Sequence, residues 1–107
     1  MATKLPKHYE RFLERYPEMA SAYHRLGEAA SEAGPLDAKA RALAKLALSV
    51  GARMEGAVRS HTRKCLQAGA NAEEIRHVVL LSTTTIGFPN MMAALAWVDG
   101  VLEPASE

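Results

Sequence analysis

Between Glu55 and Glu74 the chain spells out a helix, its stop and the start of the next helix, and this punctuation leaves little room for any other kind of structure. Met54, Ala57, Val58, Cys65 and Leu66 recur at helical spacing, and Gly69 stands where a helix end needs a residue that accepts a left-handed backbone. Asn71, with Glu74 three positions on, has the spacing of a capping box. His61 falls on the same apolar stripe, at a place where Leu or Ala is the ordinary occupant.

The same punctuation extends in both directions. Residues 8–15 predict a short helix with Tyr9, Phe12, Leu13 and Tyr16 on one side, closed by Pro17. Residues 18–33 predict a second, through Met19, Ala22, Tyr23, Leu26, Ala29 and Ala30 to the stop pair Gly34-Pro35. Asp37 caps a third helix carrying Ala40, Leu43, Ala44, Ala47 and Val50, with Gly51 as its expected end. The fourth covers about 54–68. The fifth starts at Asn71 and passes Val78 to Leu81 and the three threonines before the breakers Gly87 and Pro89. The sixth, through Met91, Met92, Leu95, Trp97, Val98 and Leu102, is apolar on more than one face.

An all-α bundle of about six helices follows. With 49% hydrophobic but only 6% aromatic residues, its helices are expected to approach closely through small side chains. A chain of 107 residues without a linker-like stretch predicts a single domain, residues 1–35 forming a helical arm or hairpin and 36–103 the core. A sixth helix of this kind exceeds what so short a chain can cover, which predicts a homo-oligomer.

The net charge of +1, with basic and acidic residues interspersed, carries no footprint for nucleic acid or for an anionic membrane surface. No apolar run reaches the roughly 18 residues of a membrane span, and the N-terminus lacks the apolar core of a signal peptide. A lone Cys65 cannot form an internal disulfide and fits a reducing compartment. The expected location is the cytoplasm.

Few residues are chemically conspicuous. A half-buried His61 would titrate near neutrality and serve as a general acid or base, or it is a core histidine that donates to a backbone carbonyl. Glu55, six residues earlier, lies roughly 120° away round the helix, so it pairs more readily with Arg59 and reaches His61 only through a bend or from a neighbouring subunit. Cys65, one turn after His61, is either a reactive thiol or a small buried hydrophobe. Arg53 and Lys45, at the turn before the histidine helix and on the preceding helix, are the candidates to hold a substrate carboxylate. Glu74 and His77 have the Glu-x-x-His spacing of carboxylate-bridged di-iron bundles, but no second copy is present, so no metal is expected.

Taken together, Ser60-His61 through Gly69-Ala70, then Glu73-Glu74-Ile75, Gly87-Phe88-Pro89 and the small-residue helix 91–98, resemble the carboxymuconolactone decarboxylase family. The other branch of that family is the AhpD-like alkylhydroperoxidases. The resemblance covers Leu36 to Val98 and implies an AhpD-like all-α fold whose small subunits assemble as trimers or hexamers, with active sites near subunit contacts.

Members of the peroxidase branch carry Cys-x-x-Cys-x-x-x-His with an upstream glutamate. The matching positions here are Met54 and Ala57 before His61, and Ala42 for the glutamate. A thioether cannot cycle through a disulfide, so the peroxidase chemistry lacks both of its sulfurs. The decarboxylase branch implies a cofactor-free decarboxylation or proton transfer on a small carboxylated, lactone-like compound. It makes His61 the acid or base, Glu55 an orienting or relay group, and Arg53 or Lys45 the carboxylate clamp. The alternatives are a peroxidase-type antioxidant, with Cys65 as a possible redox residue, and a non-catalytic oligomeric protein that binds a small ligand.

Overall fold

A computed structural model describes residues 6–104. Among them are seven helical segments and no strand: α1 (Lys7–Arg15), α2 (Pro17–Glu32), α3 (Ala38–Gly51), α4 (Glu55–Gln67), α5 (Ala72–Leu81), the single turn α6 (Thr83–Ile86) and α7 (Phe88–Leu102). The expected fifth helix therefore breaks in two. Ser82 and Thr83 turn their hydroxyls back onto the carbonyls of Val79 and Leu80, at 2.7 Å each, and such bonds compete with continuation of the helix. None of the helices is long and apolar enough to cross a membrane.

The chain divides into two compact units, one ending at Pro35 and one beginning at Leu36. In the first, α1 packs along α2, and Tyr16 is the one residue between them. Pro17 is the first residue of α2, where a missing N–H costs nothing. Phe12 lies against Tyr9 and Tyr16, with ring centroids 6.4 and 5.9 Å apart. The apolar stripe expected of α2 is presented rather than buried: Met19, Tyr23 and Leu26 are exposed and only Ala20 is enclosed.

The second unit holds the core. Leu46 and Val50 of α3, Val58 and Cys65 of α4, Ala70, Ile75 and Val79 around α5, and Met91, Ala94 and Val98 of α7 form one cluster. α3 packs on α4 and α5, while α7 packs on α4, α5 and α6. The last helix is thus largely covered by its own unit. Leu95, Trp97 and Leu102 are partly buried, and only Phe88 and Met92 among its large apolar residues stay exposed.

Local chemistry places the ends of these helices. The Asp37 carboxylate accepts the Ala40 N–H at 2.8 Å. Asn71 accepts from the Glu74 N–H at 2.8 Å while Glu74 accepts from the Asn71 N–H at 3.0 Å, which completes the capping box. Helix α4 closes in a Schellman motif: Ala70 N–H reaches Cys65 O at 3.0 Å, Gly69 N–H reaches Leu66 O at 3.1 Å, and Gly69 takes φ 97°.

Helix α3 closes with the same two bonds, Met54 N–H to Ser49 O at 3.3 Å and Arg53 N–H to Val50 O at 3.0 Å. Here Gly51 is still helical and the left-handed residue is Arg53, at φ 57°. An arginine thus sits where a glycine would be unstrained, at a cost of about 1 kcal/mol.

Gly87, between α6 and α7, has φ 95° and ψ 156°, a region open in practice only to glycine. Gly87→Ala is expected to destabilise the protein by about 1–3 kcal/mol. Equilibrium urea unfolding would show this as a lower midpoint with an unchanged slope.

Candidate functional site

Helix α4 buries a different stripe from the one its apolar residues suggest. Val58, Thr62 and Cys65 are fully enclosed, while Met54 and Leu66 are exposed and His61 sits half-buried at the stripe's edge. Thr62 can occupy the core because its hydroxyl donates to the Val58 carbonyl at 2.7 Å, leaving its methyl group to face the neighbouring helices.

At that edge the His61 imidazole makes no hydrogen bond among the described residues. His24 provides the contrast, since its Nδ1 lies 2.8 Å from the Ala20 carbonyl in the manner of a structural histidine. Burial lowers the His61 pKa below the ordinary 6.5, and the ammonium groups of Lys64, on the same helix, and Lys45, on α3, lower it further. The field of Lys45 on α3 thus reaches His61 on α4. All three effects favour the uncharged ring, and neither of its nitrogens is hydrogen-bonded among the described residues.

The depressed value has a consequence for stability. Between 6.5 and the lower native value the unfolded chain binds a proton that the folded chain refuses, so stability falls as pH drops through that window. An NMR titration of the ring carbons is expected to place His61 below 6.5, and Lys45→Ala to move it upward.

The remaining candidates are placed as follows. Glu55 is held by Arg59, with Nη2 to Oε2 at 2.8 Å and Nε to Oε2 at 3.1 Å. Arg59 also extends Nη1 to the Trp97 carbonyl of α7 at 3.5 Å, and it covers Gly100, where a Cβ would lie 2.8 Å from Nη1. Glu55 thus belongs to a junction between α4 and α7, and no hydrogen bond joins it to His61 among the described residues. Arg53 is exposed in the left-handed turn before α4, and its side chain has no hydrogen-bond partner among the described residues.

Cys65 is fully enclosed, and burial pushes its thiol up to about 11. Roughly one molecule in ten thousand would then carry the thiolate at neutral pH, too few for an attacking nucleophile. Glu74 is engaged by the Asn71 N–H and by Lys39 at 3.0 Å, which together hold its carboxyl below the usual range. No group of three His, Cys, Asp or Glu side chains among the described residues is placed to hold a metal ion.

Sequence reasoning did not single out Lys64. It is three residues after His61, and that helical spacing was the available signal.

The profile of the carboxymuconolactone decarboxylase family matches residues 17–100. The chain belongs to the carboxymuconolactone decarboxylase family. The match extends beyond the Leu36–Val98 region of the resemblance and takes in α2. An uncharacterized protein of Haemophilus influenzae is 43% identical over 51 residues, which is 48% of this chain and 45% of that protein. The chain therefore accounts for less than half the length of this relative. No solved structure matches it significantly.

Proposed function

We propose that this protein is a cofactor-free, carboxymuconolactone decarboxylase-like acid–base catalyst that acts on a small carboxylated, lactone-like compound, as a homo-oligomer in the cytoplasm. The observation that carries this reading is a half-buried imidazole, without a hydrogen-bond partner among the described residues, that lies within the field of the Lys45 ammonium. Lys45 and Arg53 attract the substrate carboxylate. The bond from that carboxylate carbon to the ring carbon breaks, carbon dioxide leaves, the electron pair remains on the ring carbon, and His61 delivers the proton that neutralises it.

In the free protein His61 is neutral, whereas the step needs the imidazolium. A bound carboxylate offsets the positive potential of Lys45 and Lys64 and so raises the affinity of the ring for its proton. Substrate binding and protonation then reinforce one another. Arg53 adds a second support, because a strained arginine in a position suited to glycine is explained by a use for its side chain.

The direct test is carbon dioxide release from a panel of small carboxylated lactones, preceded by a thermal-shift screen for binding. Arg53→Gly relieves the left-handed strain and is expected to stabilise the fold by about 1 kcal/mol while raising KM. Wild-type protein that neither binds nor turns over any member of the panel would reject the reading.

A further inference from the structure

Charges that are interspersed along the chain are sorted by helix within the second unit. Residues 38–67, which make up α3, α4 and the turn between them, hold seven Lys and Arg and one acidic residue, a net charge of +6 with His neutral. Residues 68–104, around α5 to α7, set Arg76 against Glu73, Glu74, Asp99 and Glu103, a net charge of −3.

Ion pairing sharpens the division. Glu74 is taken by Lys39, Glu55 by Arg59, and Asp99 and Glu103 by Arg76, while Asp37 is turned to the Ala40 N–H. Among the described residues no carboxylate lies within ion-pairing distance of Arg41, Lys45, Arg53, Arg63 or Lys64, and these five cations all belong to α3, α4 or the turn that joins them. All but Arg41 are exposed.

We propose that the α3–α4 pair is an electrostatic guide that gathers small carboxylates from solution toward the edge of α4 where His61 stands, with Arg41, Arg63 and Lys64 acting at range and not by contact. The inference rests on the function proposed above for the identity of the anion, and it adds the means by which that anion is collected. A cluster of one sign on a low-dielectric body raises the local concentration of the opposite ion and the rate of its capture. The cluster reaches the site, since the ammonium groups of Lys45 and Lys64 both act on His61. With the five charges at about 10 Å on average, half the roughly 21 Å length of α3, a monoanion is concentrated about threefold at 0.15 M salt and about tenfold at 0.01 M.

A nucleic acid is poorly matched to the same surface. Residues 38–67 contain no Phe, Tyr or Trp on which a base could stack, and five unpaired cations fall short of the roughly six to ten phosphate contacts of a strong duplex binder.

The test compares two nitroxides of similar size, the anionic 3-carboxy-proxyl and the neutral 3-carbamoyl-proxyl, by the relaxation each adds to protons of the full chain in NMR. Around His61 the carboxylate is expected to be about threefold more effective than the amide at 0.15 M salt and about tenfold at 0.01 M, and at the exposed Glu73 of α5 no more effective than the amide. Arg63→Glu combined with Lys64→Glu exchanges two of the five cations for anions and should bring the ratio at His61 close to one. Arg63→Gln with Lys64→Gln, which adds no charge, should lower it to about fourfold at 0.01 M. Both positions are exposed, so folding should be retained, and circular dichroism checks that it is. Equal relaxation by the two nitroxides around the wild-type His61, or an accumulation that survives these substitutions, would overturn the guide and leave the decarboxylation to its own assay. Binding of a short DNA duplex that weakens steeply with salt would make the surface a nucleic-acid interface and overturn the guide as well. Accumulation of the carboxylate by a chain that turns over no lactone would uphold the guide and reject the decarboxylation alone.

Discussion

Replacing His61 by Gln is expected to lower turnover by about 10²–10⁴-fold, the usual contribution of a positioned proton donor, with little change in KM. Glutamine keeps much of the size and polarity of the ring but cannot exchange a proton at neutral pH. The side chain is only half-buried and makes no hydrogen bond among the described residues, so the unfolding free energy should hold to within about 0.5 kcal/mol. Loss of activity without loss of stability separates a chemical role from a packing role. A variant that retains full turnover would remove His61 from the mechanism. The pH profile provides a second check: kcat/KM should fall on the alkaline side through a free-protein pKa below 6.5, and the pKa seen in kcat should be higher, because bound carboxylate compensates Lys45 and Lys64.

Leu46→Ala is expected to be the most damaging of the simple core truncations, at about 2–5 kcal/mol. Leu46 is fully enclosed on α3 at the centre of the cluster that joins α3, α4, α5 and α7, and three methyl-sized groups would be removed from a place where no helix can close in without moving the others. For a chain of this size each kcal/mol lowers the melting temperature by about 4–8 °C, so calorimetry should record a fall of roughly 10 to 25 °C or more. Total stability of small domains is only about 5–15 kcal/mol, so the variant approaches the limit of folding. A shift of less than about 3 °C would mean that the α3 seam is far looser than its burial implies.

Much of the fold was legible because its signals are local. Asp37 and Asn71 cap the helices they precede in the sequence, and Gly69 ends α4 where a left-handed residue was expected. Each depends on backbone groups within four residues of the side chain concerned, so no distant contact can revise it. The end of α3 at Gly51 was read correctly, but its left-handed residue lies two positions further on. Gly51 was the local signal, yet the closing bonds run to the Ser49 and Val50 carbonyls and leave Arg53 in the left-handed position, for which an arginine side chain gives no warning.

The candidate site was legible in part. His61 could be singled out as a polar residue on an apolar stripe, but the stripe itself was placed one position away from where the core lies. Thr62 reads as polar, although its hydroxyl closes on the Val58 carbonyl and the residue behaves in the core as a small hydrophobe. The likeness of the Met91 to Leu102 stretch to an unpartnered helix had the same weakness. An apolar pattern reports how much surface a helix must hide, whereas only the arrangement of α4, α5 and α6 around α7 reports how much of it is already hidden.

Read alone, the amino-acid order was enough to establish the helices, most of their caps and family likeness, because periodicity and capping act over a turn or two of chain. The packed structure alone decided that the field of Lys45 reaches a half-buried His61, that Cys65 is sealed in the core and that a groove opens between α3 and α5. These relations join residues far apart in the chain. They follow from which face of each helix its neighbours cover, and that is settled by close packing and desolvation of the assembled unit, not by any one segment's own pattern.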